Sequence, residues 1–242
     1  MIRLVEALPP QQGDELLLCR VQALWECYGA VPFIRYYVGD SGSVAALFDG
    51  QALVYAVPEE REELAWFVAM QPDITSLLSD PDTAAAVAAA WQGEVATYPV
   101  MRYEAQNGAP AAELAHVSPR ELYAFLQPIF PHLAPFDVWY PDICFRERHG
   151  FCRNVAVCEA GIPISSAMTV AEWQGGALIG GVATTPVYRQ RGLAGLCVGS
   201  LATALQAEGR QVYICPKNDG AERLYTKLGF VTCSMIAQTE RT

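Results

Sequence analysis

The stretch Leu178–Ile179–Gly180–Gly181–Val182–Ala183–Thr184–Thr185–Pro186–Val187–Tyr188–Arg189–Gln190–Arg191–Gly192–Leu193–Ala194–Gly195 decides how the rest of the chain is read. Its apolar first half predicts a strand, its basic and glycine-bearing middle a tight loop, and its end the start of a helix. A helix N-terminus leaves backbone N–H groups unpaired and carries partial positive charge. A loop that brings a polyphosphate onto it therefore forms an anion site from main chain alone. Gly192, Ala194 and Gly195 are small where such a ligand would approach. The spacing is neither G-x-G-x-x-G nor G-x-x-x-x-G-K-S/T, which argues against a nicotinamide enzyme and an NTPase and leaves another phosphate-bearing cofactor.

Arg189, Gly192 and Ala194 stand first, fourth and sixth in a loop that resembles the acyl-CoA signature of the GNAT superfamily of N-acetyltransferases, R/Q-x-x-G-x-G/A. Downstream, Asn218…Ala221…Leu224–Tyr225–Thr226–Lys227–Leu228–Gly229–Phe230 resembles the second conserved segment of that family, in the family's order. The resemblance implies a mixed α/β fold with a mostly antiparallel sheet, in which the strand before the loop diverges from the next one and pantetheine lies in the gap. It implies that Val182, Ala183 and Thr184 face acetyl-CoA as co-substrate, with no metal. It further implies that Gln190, Arg191, Gly192, Leu193, Ala194 and Gly195 supply N–H groups to the pyrophosphate, that Arg189 and Arg191 add charge, and that Asn218 touches the cofactor. Tyr225 matches the tyrosine that protonates the leaving sulfur in many members. The competing readings are a solvated loop for the arginines, a helix cap for Asn218 and plain packing for Tyr225, which shares a helix turn with Leu224 and Leu228.

The composition is that of a globular protein. Of 242 residues, 52% are hydrophobic and 17% charged, so disorder does not dominate and the chain can bury a large core. A net charge of −10 repels nucleic-acid phosphate and anionic lipid, which points to a small-molecule, amine or protein partner; the acceptor expected from the family resemblance is a small-molecule or peptide amine, with a homodimer as a further option. The start of the chain has no secretory pattern, and the longest apolar helical run, Ala84 to Trp91, is far below the ~20 residues of a membrane span, so a cytoplasmic location is expected. The eight cysteines include no C-x-x-C and no paired histidine spacing, which removes zinc and thioredoxin-type readings.

Before residue 105 the pattern predicts a strand at Ile2–Val5 and a helix opened by Asp14 and stopped by Gly29. A meander follows at 33–38, 43–48 and 51–57, then a helix from Pro58, a strand near 73–78, an alanine-rich helix capped by Asp80 or Asp82, and a strand at 94–103. Much the same order returns later. Leu114 to Val117 is a candidate strand, and Ser118–Pro119 opens a helix. The aromatic, charged segment Phe136 to Gly150 has no clear assignment in its second half. A second meander spans 154–159, 164–172 and 177–185, before the signature helix to Glu208, a strand at 211–215, a helix at 219–228 and a last strand at 230–238. We therefore expect two similar domains in tandem: a degenerate GNAT-like domain at 1–104, a Gly/Pro-bearing linker at 105–113 and a catalytic domain at 114–242. A single mixed α/β domain with an irregular front half is the alternative.

Acyl transfer needs a neutral amine, a polarised thioester carbonyl and a proton for the departing thiolate. Tyr225 is the candidate acid. For the base, many relatives place a glutamate on the strand before the loop, where this chain has Ala177–Leu178–Ile179–Gly180–Gly181–Val182. Glu172 on the preceding strand is the candidate chosen, with His149, Glu147 and a water chain as others. His116 and His132 fall away from the site in this reading. The aromatic segment from Phe136 to His149 is expected to line the acceptor pocket. Cys144, Cys152 and Cys215 lack the His/Asp company of an acyl-cysteine enzyme. The reading is an N-acetyltransferase moving an acetyl group from acetyl-CoA to a primary amine by direct attack; the alternative is a non-catalytic acyl-CoA-binding or sensor protein.

Overall fold

Asp49–Gly50 turns one strand back on the next, and Ala160–Gly161 does the same a hundred residues later; around these turns the chain builds two three-strand meanders. The computed structural model describes residues 1–10, 13–105 and 114–241. They fall into two units, Met1–Val100 with Cys233–Thr242, and Met101–Thr232.

In the first unit β1 (Arg3–Val5) leads to α1 (Leu16–Tyr28), which ends at Gly29, and then to β2 (Arg35–Val38), β3 (Val44–Phe48) and β4 (Gln51–Tyr55). A 3₁₀ turn at Pro58–Glu60 runs directly into α2 (Arg61–Ala69). β5 (Ser76–Ser79) pairs parallel with β4, α3 (Pro81–Trp91) is capped by the Asp80 carboxylate, and β6 (Val95–Tyr103) follows. Leu47, Val54, Leu64, Val68, Leu77, Val87 and Trp91 form the core between these strands and α2 and α3.

The second unit opens with α4 (Pro119–Leu126), held by a capping box in which Ser118 and Glu121 exchange hydrogen bonds. The unassigned segment is one helix, α5 (Phe136–Arg148), despite Pro141 inside it. Then come β7 (Asn154–Glu159), β8 (Ile162–Trp173), β9 (Gly176–Thr184), α6 (Leu193–Ala207), β10 (Gln211–Ile214), α7 (Asp219–Lys227) and β11 (Phe230–Glu240). The sheet of this unit runs β6-β10-β9-β8-β7, antiparallel except for β9 and β10. The mixed, mostly antiparallel α/β fold expected from the sequence is the one observed.

Each unit takes a strand from the other stretch of sequence. β6 follows the first meander but pairs through Met101 and Arg102 with β10, inside the second unit. β11 follows the second meander, yet Ala237–Glu240 pair with Ser79–Ser76 of β5, inside the first. Residues from Cys233 onward thus lie with the front half of the sequence, whereas the sequence reading grouped all of 114–242 together. Of the expected linker only Ala105 lies within the described residues. Leu114 to Val117 is not a strand: it makes one bridge, Ala115 to Ala156, because the Asn154 amide takes both main-chain groups of Val117, at 3.1 and 3.0 Å. Among the described residues no helix is long and apolar enough to cross a membrane.

Arg241 ties the returning strand into the first unit. Its Nη2 donates to the carbonyls of Ala69 at 2.7 Å and Gln71 at 3.2 Å, and its guanidinium lies 4.9 Å from the Trp91 ring centroid. Arg241→Ala is expected to lower the unfolding free energy by about 2 kcal/mol, since charged hydrogen bonds and a cation–π contact go together; chemical denaturation checks this, and an unchanged midpoint would refute the anchoring role.

Candidate functional site

β9 and β10 run parallel for four residue pairs, Gly176–Ile179 against Gln211–Ile214, and their pairing ends there. β9 continues through Gly180 to Thr184 with no partner on that side among the described residues. Into the gap open the N-terminus of α6 and one face of α7, enclosing a cavity of about 470 Å³. Val182, Ala183 and Thr184 line it, as do Arg189, Gln190, Gly192, Leu193, Ala194, Gly195 and Tyr225. The structure therefore brings together most of the residues implied by the two motifs.

The loop curls just before α6. Gln190 and Gly192 both adopt left-handed φ, 62° and 77°, on either side of Arg191, a curl of the kind that makes successive N–H groups converge. A Cβ at Gly192 would meet nothing within 4 Å, so conformation and open access, not crowding by protein, call for glycine there. α6 has no side-chain cap at its start, and its first main-chain donors have no partner inside the helix. The Arg189 Nε donates to the Thr184 carbonyl at 3.2 Å, which fastens the loop to the end of β9. Arg191 lies outside the cavity lining: its Nη2 donates to the Val187 carbonyl at 3.3 Å and its guanidinium stands 5.1 Å from the Tyr188 ring centroid. Tyr188 in turn donates to the Glu159 carboxylate, a bond that raises its phenol above the ordinary range.

Tyr225 is a core residue that also lines the cavity, 5% exposed, with its ring 6.0 Å from that of Phe230. Burial pushes its phenol up to about 12, so the group is protonated, and a hydrogen-bond donor, throughout the neutral range. Packing and chemistry are not alternatives at this position. Asn218 is placed differently from its implied role: its Oδ1 accepts from Ala221 N at 3.0 Å as the cap of α7, and it does not line the cavity. The residues it caps, Gly220 and Ala221, line the cavity instead.

Glu172, the expected base, does not line the cavity. Glu172 pairs with Ala177 at the far end of β9, seven residues from Thr184 and so roughly 20 Å away along the strand. Its carboxylate is 2% exposed and fully engaged: Oε1 accepts from Arg153 Nε at 3.0 Å and Thr169 Oγ1 at 2.6 Å, and Oε2 from Arg153 Nη2 at 3.0 Å and Arg210 Nη1 at 2.8 Å. A carboxylate held by two guanidinium groups is a structural anion. The other candidates are likewise elsewhere. Glu147 accepts from Asn154 Nδ2 at 2.7 Å and lies 3.4 Å from His116 Nε2, while the His149 Nδ1 lies 2.8 Å from the Phe145 carbonyl. Cys152 is buried and its thiol pushed up to about 12, far from thiolate character. None of the described residues lining the cavity is an acid or a histidine.

Ile129, Tyr188, Gly220, Ala221 and Leu224 also line the cavity, although none was among the expected cofactor-binding or catalytic residues. Ala221 precedes Tyr225 by four residues, the same-face spacing of a helix, and could have been found that way. Ile129, just beyond α4, carries no sequence signal. The aromatic segment of α5 does not line this cavity; its rings pack with Tyr123 of α4, and Arg120 lies over Phe136 and Tyr140 at 5.2 and 5.3 Å. Among the described residues no group of three or more His, Cys, Asp or Glu could hold a metal ion.

Glu172→Gln is expected to lower stability by about 3 kcal/mol, because it leaves two arginines facing a neutral group. Thermal and chemical unfolding test this; unchanged stability would refute the structural role.

Residues 163–241 match the family model described as FR47-like protein. No curated protein sequence matches the chain. Among solved structures, a GNAT-family acetyltransferase from Colwellia psychrerythraea is similar over 100% of both chains at 13% identity, with a TM-score of 0.59. A GCN5-related N-acetyltransferase from Sphaerobacter thermophilus covers 92% of this chain and 84% of its own at 16% identity and TM-score 0.62, and one from Kribbella flavida 82% and 86% at 16% and 0.54. The opened strand pair, the glycine-bearing loop and these likenesses together show that the chain has the fold of the GNAT acetyltransferases.

Proposed function

We propose that the chain is an acetyl-CoA-dependent N-acyltransferase whose acceptor is a primary amine of a small molecule or peptide. The observation that carries this is a single cavity in which an opened strand, a helix N-terminus with its left-handed loop, and a buried protonated phenol meet. When bound, acetyl-CoA supplies a thioester. The loop from Arg189 to Gly195 would hold its pyrophosphate through main-chain N–H groups, Arg189 and Arg191 would offset the charge, and the open edge of β9 would pair with the pantetheine amides.

Attack by the amine nitrogen forms the C–N bond, and the C–S bond then breaks with its electron pair on sulfur. The nitrogen must lose one proton and the sulfur can gain one. Proton transfer from a phenol near 12 to a thiol of ordinary pKa about 8.5 runs uphill by roughly 5 kcal/mol. Tyr225 therefore serves as a donor that stabilises the leaving thiolate and passes on the proton shed by nitrogen, not as an independent strong acid. With no acid or histidine in the lining, deprotonation of the incoming ammonium falls to water or to the acceptor's own equilibrium.

On the same reading, residues 1–104 are a copy that does not bind acetyl-CoA. In the first unit the 3₁₀ turn Pro58–Glu60 meets α2 at once, where the second unit has Arg189–Gly192 between turn and helix. Arg61 at that junction pairs with Asp80 at 3.5 Å and Asp82 at 3.1 Å. Calorimetry is expected to return one acetyl-CoA per chain, and Arg191→Glu to weaken it at least about tenfold, or ~1.4 kcal/mol. No binding, or two equivalents, would refute the assignment. An acyl-CoA sensor is the second reading, favoured by the lack of a base in the lining; CoA release that continues over many turnovers with an amine present excludes it.

The pH dependence follows from Tyr225. Its raised pKa keeps the donor form intact until about pH 12, so the acid itself imposes no fall in rate below that. We expect kcat/KM to rise with pH through the pKa of the acceptor amine and to move when a less basic amine is used, with no plateau set by a carboxylate. Tyr225→Phe should cut kcat by about 10²-fold with acetyl-CoA affinity retained; equal turnover would leave Tyr225 a packing residue only.

A further inference from the structure

Two fully buried hydroxyls on β8 point at the main chain of β9 where the second unit needs it most exact. Ser166 Oγ donates to the Gly181 carbonyl at 3.1 Å, and Ser165 Oγ donates to the Ala183 carbonyl at 3.0 Å while also lying 2.8 Å from Thr184 Oγ1. Both serines are 0% exposed. Ordinary ladder pairing is interrupted at this place. Ser166 pairs with Ala183 and Met168 with Gly180, so that Gly181 and Val182 face the single residue Ala167 in a bulge. Gly181 takes φ +55°, and a Cβ there would come within 2.6 Å of Met168 Cγ.

The peptide unit is planar and trans, so its C=O and N–H point in opposite directions. A hydroxyl on β8 that holds the Gly181 carbonyl turns the Val182 N–H away from β8, toward the gap left by β10. Val182 lines the cavity within that gap. We infer that Ser166 is a positioning residue: it locks the Gly181–Val182 peptide so that the Val182 N–H points at the thioester carbonyl, the group that becomes an oxyanion during transfer. The bulge frees this peptide from ladder pairing, and the serine replaces the lost partner with one of fixed direction. A donor fixed in advance needs no reorganisation as charge develops, which is the source of its effect on rate. The inference rests on the acyltransferase reading of the site.

Isotope-edited infrared spectroscopy tests it, using acetyl-CoA labelled with ¹³C at the thioester carbonyl. Binding to the unaltered protein should shift the carbonyl band to lower frequency. Ser166→Ala should return the band toward its free position and lower kcat at least about tenfold, with the acetyl-CoA dissociation constant within about threefold. Ser166→Cys keeps the packing with a weaker donor and should fall between; it carries the comparison if Ser166→Ala does not fold. A bound but unshifted band in the unaltered protein, or a shift and kcat preserved in the variants, overturns the positioning role alone. Failure of the unaltered protein to bind acetyl-CoA overturns the acyltransferase reading itself.

Discussion

Main-chain hydrogen bonding sets the terms for this structure. β9 and β10 share four residue pairs and then part, which leaves the edge of β9 beyond Ile179 without a strand partner on that side among the described residues, and Val182 to Thr184 facing a cavity. Polar main chain at a sheathed edge is costly unless something bonds to it. The fold meets that demand on one side with β8, whose two serines fix the carbonyls, and leaves the other side open to the cavity. The bulge, the paired glycines Gly180 and Gly181 and the left-handed loop all follow from that one opening: Gly180 admits Val170, which stands 2.7 Å from where its Cβ would be, and Gly181 admits Met168.

Charge is arranged to serve the same helix at both ends. At the C-terminus of α6, Glu208 bonds to Arg153 at 2.6 Å and to Arg210 at 3.1 Å, and both arginines hold Glu172 of β8. The bond from Arg153 holds the Glu208 carboxyl below its usual range. This cluster clamps α6 to the β8–β9 hairpin far from the cavity. The N-terminus of α6 is then presented with its donors uncapped beside Arg189 and Arg191, two cations on a chain of net charge −10. What looked in sequence like a catalytic carboxylate is part of the frame that holds the binding end in place.

Local signals in the sequence were sufficient for most elements, because each is written in a few adjacent residues: Ser118 and Glu121 for the start of α4, Asp80 for α3, Asp49–Gly50 for a hairpin, Gly29 for the end of α1. The loop at Arg189–Gly195 and the cavity-facing residues of β9 were legible for the same reason. Pairings between distant segments were not. Nothing in Ala237–Glu240 announces β5 as its partner, and nothing in Glu172 reveals that Arg153 and Arg210 converge on it. The helix of α5 was hidden by Pro141, and the side-chain amide of Asn154, which replaces a strand partner for Val117, has no periodicity to betray it.

The contrast between the two meander-bearing units comes down to a few residues after a 3₁₀ turn. Each turn begins with proline, and its third residue reaches back to the meander: Tyr188 to Glu159 at the end of β7, Glu60 to the main-chain N–H groups of Ser41 and Ser43 at 2.8 and 3.1 Å. In the second unit four residues then intervene, two of them left-handed, before α6 starts. In the first there are none, and the approach of the Glu60 carboxylate is so close that Gly39 has no room for a side chain. An anion of the protein's own thus sits against that turn, beside a helix that starts without a loop. The missing loop and the internal carboxylate go together at that turn, since a segment too short to curl is short enough to be pinned by a side chain.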